Sequence, residues 1–166
     1  MSTIGTIHTA LAVIALAAGM AIFTIAKGTN RHRMIGYIYV AGMVGLNLTA
    51  LMIYRLFGRF GPFHVFAIIS LVTLVVGFLP ALTKRPKQTW LDRHYNWILW
   101  SYVGLVAGAA AEFLTRVPIF NRSGVGFAIG VFVASTVIIS IGASIIHRRK
   151  ETIVARMLEM LRARSL

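Results

Sequence analysis

KGTNRHRMIGYIYV, residues 27–40, joins a cationic turn to the start of an apolar helix, and its reading decides the fold. Lys27, Gly28, Arg31 and Arg33 make the turn, His32 sits inside it, and Met34 and Ile35 open the apolar run that follows. An apolar run also precedes it. Apolar run, basic turn, apolar run is the pattern of a membrane hairpin whose turn is held on the cytoplasmic side by its Lys and Arg residues. The rest of the chain repeats this unit with variations.

Composition agrees. Hydrophobic residues make up 58% of the 166 positions, charged residues 13%, and the mean hydropathy is +0.80, too apolar for a soluble fold of this size. The formal net charge of +13 would point to nucleic acid in a soluble protein, but here the cations fall in short loops between apolar runs. Their expected work is topology and attraction to anionic lipid head groups, with no nucleic-acid partner. The chain has no cysteine, which removes disulfides, thiolate ligands and thiol catalysis together. The first apolar run lacks a preceding basic residue and a small-residue cleavage site, so it reads as a retained helix. No P-loop, Gly-rich dinucleotide turn, Ser-His-Asp arrangement or HExxH motif occurs in a suitable context, and a non-enzymatic protein is the expectation.

Five spans are predicted, at about Ile4–Ala26, Met34–Tyr54, Pro62–Leu82, His94–Leu114 and Val125–Ile146. Pro62 suits the first turn of the third span, and Pro80 is expected to bend or finish it. Gly36, Gly42 and Gly45, Gly104 and Gly108, and Gly126 and Gly130 read as places of close helix approach. Residues 1–146 form the bundle, a four-helix core plus one. Residues 147–166 form a basic tail in which Ile153, Val154, Met157, Leu158 and Leu161 share a helix side opposite Arg156, Arg162 and Arg164, suited to the membrane surface or to a partner. Alternating the loops puts Lys27, Arg31, Arg33, Lys84, Arg85, Lys87, Arg93, Arg148, Arg149, Lys150, Arg156, Arg162 and Arg164 on one face and leaves Arg55, Arg59, Arg116 and Arg122 on the other. The expected fold is therefore an all-α polytopic bundle, N-terminus outside and C-terminus inside, with its basic face cytoplasmic.

Alternating helix direction also places distant residues at one depth. Glu112 follows His94 by about 27 Å along a helix, so His8, His64 and Glu112 form an outer layer, and His32, His94 and Asp92 an inner one. Ionisable groups in membrane helices are functional candidates. Glu112 also stands at the (i, i+4) spacing for a simple ion pair with Arg116. His147 reads as an ordinary juxtamembrane residue. Asn47, in mid-span near Thr49, is expected to hydrogen-bond across helices. Tyr37, Tyr39 and Tyr54 read as interfacial anchors, and Trp90, Tyr95, Trp97 and Trp100 as an interfacial belt.

His8, the Lys27-Gly28 turn, His32-Arg33 with Gly36 and Tyr39, Trp90 and His94, and Glu112 with Arg116 together resemble a family of predicted prokaryotic membrane proteins known only as a domain of unknown function. The resemblance runs from about His8 to Arg116 and leaves the fifth helix and tail outside. It implies a bacterial or archaeal integral membrane protein, multi-pass in the prokaryotic cytoplasmic (inner) membrane, and brings no established activity.

Three functions fit these residues. A b-type cytochrome would use His8, His64, His32 and His94 as paired axial ligands for haem b and pass electrons to a membrane redox partner. A divalent-metal binding or transport protein would use His8, His64 and Glu112. A non-enzymatic membrane subunit or assembly factor would use its charged faces and tail to bind partners, with structural histidines.

Overall fold

The structure is a computed structural model that describes residues 2–54, 58–121 and 124–163. Arg55, Arg122 and Arg164 of the charge count lie outside the described residues. Six helices follow in order: α1 (Thr3–Thr24), α2 (Asn30–Leu51), α3 (Pro62–Thr83), α4 (Trp90–Leu114), the single turn α5 (Pro118–Asn121) and α6 (Gly124–Ala163). Five are long and apolar enough to cross a membrane, the last of these spans being Gly124–Arg148. The short connections make successive spans antiparallel. α1 packs on α2, α2 on α3, α3 on α4, and α4 lightly on α1, which closes a four-helix ring; α6 lies outside it against α4. α1 and α3 therefore face each other across one diagonal, and α2 and α4 across the other.

Local chemistry sets the helix starts. The Ser2 hydroxyl accepts from the Gly5 N–H and the Thr29 hydroxyl from the His32 N–H, each satisfying a first-turn donor that has no helical partner. The Thr29 cap starts α2 four residues before the expected Met34, which puts His32 in the first turn of a helix. α4 likewise starts at Trp90, which places His94 inside it. α3 runs one turn past Pro80 and ends at Thr83, where Lys84 takes the left-handed conformation (φ 56°) and its N–H reaches the Pro80 carbonyl. α6 continues from the fifth span to Ala163 without a break, so the basic tail extends that span. No Gly or Pro occurs after Gly142 to stop it. The side chains of Ile153, Val154, Arg156, Met157, Leu158, Leu161 and Arg162 lie outside the description.

The core is made of small and apolar residues from four helices: Ala15, Ala18, Met43, Leu46, Leu74 and Leu105. Tyr39 belongs to it as well. It is 1% exposed, and its hydroxyl bonds the Ser101 hydroxyl at 2.9 Å, so it ties α2 to α4 and is no interfacial anchor. Asn47 does what its position predicts, donating to the Ser70 hydroxyl of α3 at 3.1 Å and to the Met43 carbonyl at 2.8 Å. A methyl group built on Gly19, Gly77 or Gly142 would fall within 3 Å of Tyr102, Ile98 or Val103 respectively, so these three positions have room for glycine alone.

Candidate functional site

Histidines come together at both faces of the bundle, His8 and His64 beside Glu112 on one cavity and His32 beside His94. At the face that holds the N-terminus, His64 is the third residue of α3, after Pro62. The Gly61 N–H donates to its Nδ1 at 3.1 Å, and its ring packs against Tyr54 and Phe60, with centroids 4.6 and 4.9 Å away. The residue is 3% exposed, and its Nε2 is buried with no hydrogen-bond partner among the described residues. Because Nδ1 accepts from an amide, the proton of the neutral ring sits on Nε2. His64 thus carries a buried donor that lacks an acceptor.

His8, on α1, is held at both nitrogens. Its Nδ1 lies 3.1 Å from the Thr49 hydroxyl and its Nε2 lies 4.0 Å from Glu112 Oε2. Thr49 Oγ1 is also within reach of the Gly45 and Leu46 carbonyls, at 2.9 and 2.8 Å. It can therefore give its proton to a carbonyl and accept from the ring, or turn and donate to the ring. His8 keeps a partner at Nδ1 whether it is neutral or protonated. The other carboxylate oxygen of Glu112 meets Arg116, so the (i, i+4) ion pair and the contact to His8 coexist. Both ends of that pair are well exposed, which limits its value to about 0–1 kcal/mol.

His8, His64 and Glu112 line one cavity of about 470 Å³ between the helices, together with Asn47, Ser70 and Arg116. Phe63, Phe66 and Phe127 supply aromatic wall, and Met43, Leu46 and Leu105 supply aliphatic wall. Gly104 and Gly108 line it too. A methyl group built on either meets nothing within 4 Å, so this pair opens space where close helix packing was expected. Both amide protons of Asn47 are used, which leaves its Oδ1 as acceptor, while Ser70 accepts from Asn47 and keeps its own proton to give. Sequence reading missed Ser70, the phenylalanines and the role of the α4 glycines. Ser70 and Thr73 were the available signal, as hydroxyls in an otherwise apolar span.

At the basic face, His32 and His94 meet across the α2–α4 diagonal with ring centroids 6.5 Å apart and planes at 84°. His94 Nδ1 donates to the Gly77 carbonyl at 2.9 Å, which leaves a lone pair on Nε2; His32 Nδ1 is buried with no partner among the described residues. Lys27 turns its ammonium onto the Ile22 and Ile25 carbonyls at the end of α1, where the helix dipole favours a cation. Lys84 places its own over the Trp90 ring at 4.0 Å. Burial pushes both of these lysines below the ordinary range.

These hydrogen bonds bear on the ligand roles expected from sequence. An axial imidazole offers its metal a lone pair and usually donates its other N–H to a carbonyl or carboxylate. His94 has that arrangement and His64 has the opposite one, so His64 does not suit iron or another metal as it stands. Among the described residues no three His, Asp or Glu side chains are close enough to hold a metal ion. His8, His64 and Glu112 share a cavity without forming a three-ligand site.

No curated protein and no solved structure compared with the chain matches it. A family model described as "Predicted membrane protein (DUF2306)" matches residues 5–149, a range that takes in the fifth span as well as the four-helix core and so extends beyond the resemblance seen in the sequence. The chain belongs to this family of membrane proteins of unknown function.

Proposed function

We propose that the protein is a ligand-binding protein of a prokaryotic cytoplasmic membrane, with its N-terminus outside, and that it holds a small neutral amphiphile in the cavity at its N-terminal face. The observation that carries this reading is the buried, unpartnered Nε2–H of His64 on the wall of a largely apolar cavity whose polar groups are few and converge. An unmet donor at this depth costs about 1–3 kcal/mol, and an acceptor oxygen on a ligand would recover it once the side chains covering the nitrogen shift. Glu112 is paired with Arg116 on the same wall, and the pair carries no net charge, which suits an uncharged ligand. His8, which keeps a partner in either protonation state, suits a ligand hydroxyl that gives or takes a hydrogen bond. The orientation rests on the excess of Lys and Arg at the opposite face.

Native mass spectrometry of protein extracted from membranes tests the reading. Wild type is expected to retain one small-molecule adduct that Gly108→Leu, which fills the cavity, removes. Absence of any adduct, or its retention in Gly108→Leu, would count against it.

A second reading attaches to the His32–His94 pair. The two imidazoles, with ring centroids 6.5 Å apart, would be the residues to hold a haem iron, which would supply one-electron transfer. Reduced b-type bands that vanish in His94→Ala would support a haem electron carrier. A featureless spectrum from cells supplied with haem would remove it.

A further inference from the structure

A second cleft, of about 680 Å³, opens at the basic end of α3 and belongs to neither histidine layer. Its floor is a stripe of α3 in which Val76, Leu79, Pro80 and Thr83 recur at helical spacing. Leu79 is 53% exposed and Val76 37%, so this stripe faces the surroundings of the bundle, which for a span of this apolarity are acyl chains. The rim is cationic: Arg85 and Lys87 come from the α3–α4 loop and Arg93 from the first turns of α4, all three exposed. Among the described residues no carboxylate lines the cleft, although Asp92 precedes Arg93 in the chain. Lys84, next to the rim, is engaged with Trp90 and takes no part.

We infer that this cleft is a binding site for one anionic phospholipid of the leaflet at the basic face. An acyl chain lies along Val76 and Leu79, and the phosphodiester sits among Arg85, Lys87 and Arg93. Charge complementarity selects the occupant. Three cations on the lining favour a lipid carrying net negative charge over a zwitterion, whose own ammonium would meet the same cations. The apolar floor selects a lipid over a free phosphate, because a free anion leaves that stripe uncovered. The left-handed Lys84 ends α3, so the cations of the following loop border the exposed end of that helix.

The test uses the full chain in nanodiscs of equal parts phosphatidylglycerol and phosphatidylcholine, released into native mass spectrometry. Wild type is expected to retain phosphatidylglycerol over phosphatidylcholine on the order of tenfold, and the combined variant Arg85→Gln, Lys87→Gln, Arg93→Gln to retain them about equally. Arg31→Gln, a cation of the same face outside the cleft, should keep the preference. Circular dichroism on each variant shows that helix content is kept. Equal retention in wild type, a preference that survives the triple variant, or one lost equally in Arg31→Gln would overturn the site. Displacement of phosphatidylglycerol by millimolar inorganic phosphate would overturn the assignment to a lipid.

Discussion

Replacing Gly77 by alanine should separate α3 from α4, and the size of the effect follows from the atoms around it. A Cβ built there lies 2.8 Å from the Ile98 backbone nitrogen and 3.0 Å from both Ile98 Cγ1 and the Trp97 carbonyl carbon. Two of these three atoms are backbone, so relief requires moving α4, and overpacking of this kind costs about 1–3 kcal/mol. The Gly77 carbonyl also accepts from His94, and displacing it puts a further hydrogen bond, about 0.5–1.5 kcal/mol, at risk. Against this stands the helix preference of alanine over glycine, about 1 kcal/mol. The net expectation is a loss of about 1–3 kcal/mol. Gly108→Ala is the matched control, since its methyl meets nothing and only the helix preference remains, so it should be neutral or stabilising by up to about 1 kcal/mol. Reversible unfolding in mixed detergent and dodecyl sulfate micelles, followed by circular dichroism, measures both. Equal stability of the two variants would refute the packing described for α3 and α4.

Tyr39→Phe removes one partner of a buried hydroxyl pair and should cost about 0.6–1.7 kcal/mol, much of it recovered when Ser101→Ala is added; the same unfolding assay reads the cycle. Arg116→Ala should change stability by less than about 1 kcal/mol, because its ion pair with Glu112 is exposed, and a larger loss would show that Arg116 holds the cavity mouth together. The chain contains no cysteine, so single-cysteine variants give a clean background for topology. Ser2→Cys should react with an impermeant maleimide on intact cells and Lys87→Cys only after permeabilisation; the reverse pattern would invert the orientation.

Much of this architecture can be read from residue order because a membrane restricts the solutions. Apolar length gives the spans, and helix alternation then gives depth, which is why His8 with Glu112, and His32 with His94, come together although 104 and 62 residues separate them. Depth says nothing about azimuth. Tyr39 lies close enough to the start of α2 to read as an anchor, yet its azimuth points it into the ring toward Ser101. The same limit applies to Gly104 and Gly108, whose spacing fits helix packing but whose direction opens a cavity. Hydropathy alone starts the second and fourth spans at Met34 and His94, whereas α2 begins at Asn30 and α4 at Trp90, which brings both histidines inside a helix. Tautomers lie further still from the sequence. Whether a histidine is a ligand or a donor depends on one backbone contact, Gly61 for His64 and Gly77 for His94.

That contact also gives the most direct test of the account. Solid-state NMR of the protein in lipid bilayers, labelled with ¹⁵N at the histidine rings and assigned by loss of one signal in His64→Gln and another in His94→Gln, reports which nitrogen carries the proton. The account predicts a neutral His64 protonated at Nε2 and bare at Nδ1, with the opposite tautomer at His94. A His64 protonated at Nδ1 would free a lone pair at Nε2, contradict the donor on which the proposed ligand site rests, and return that residue to the metal and haem readings.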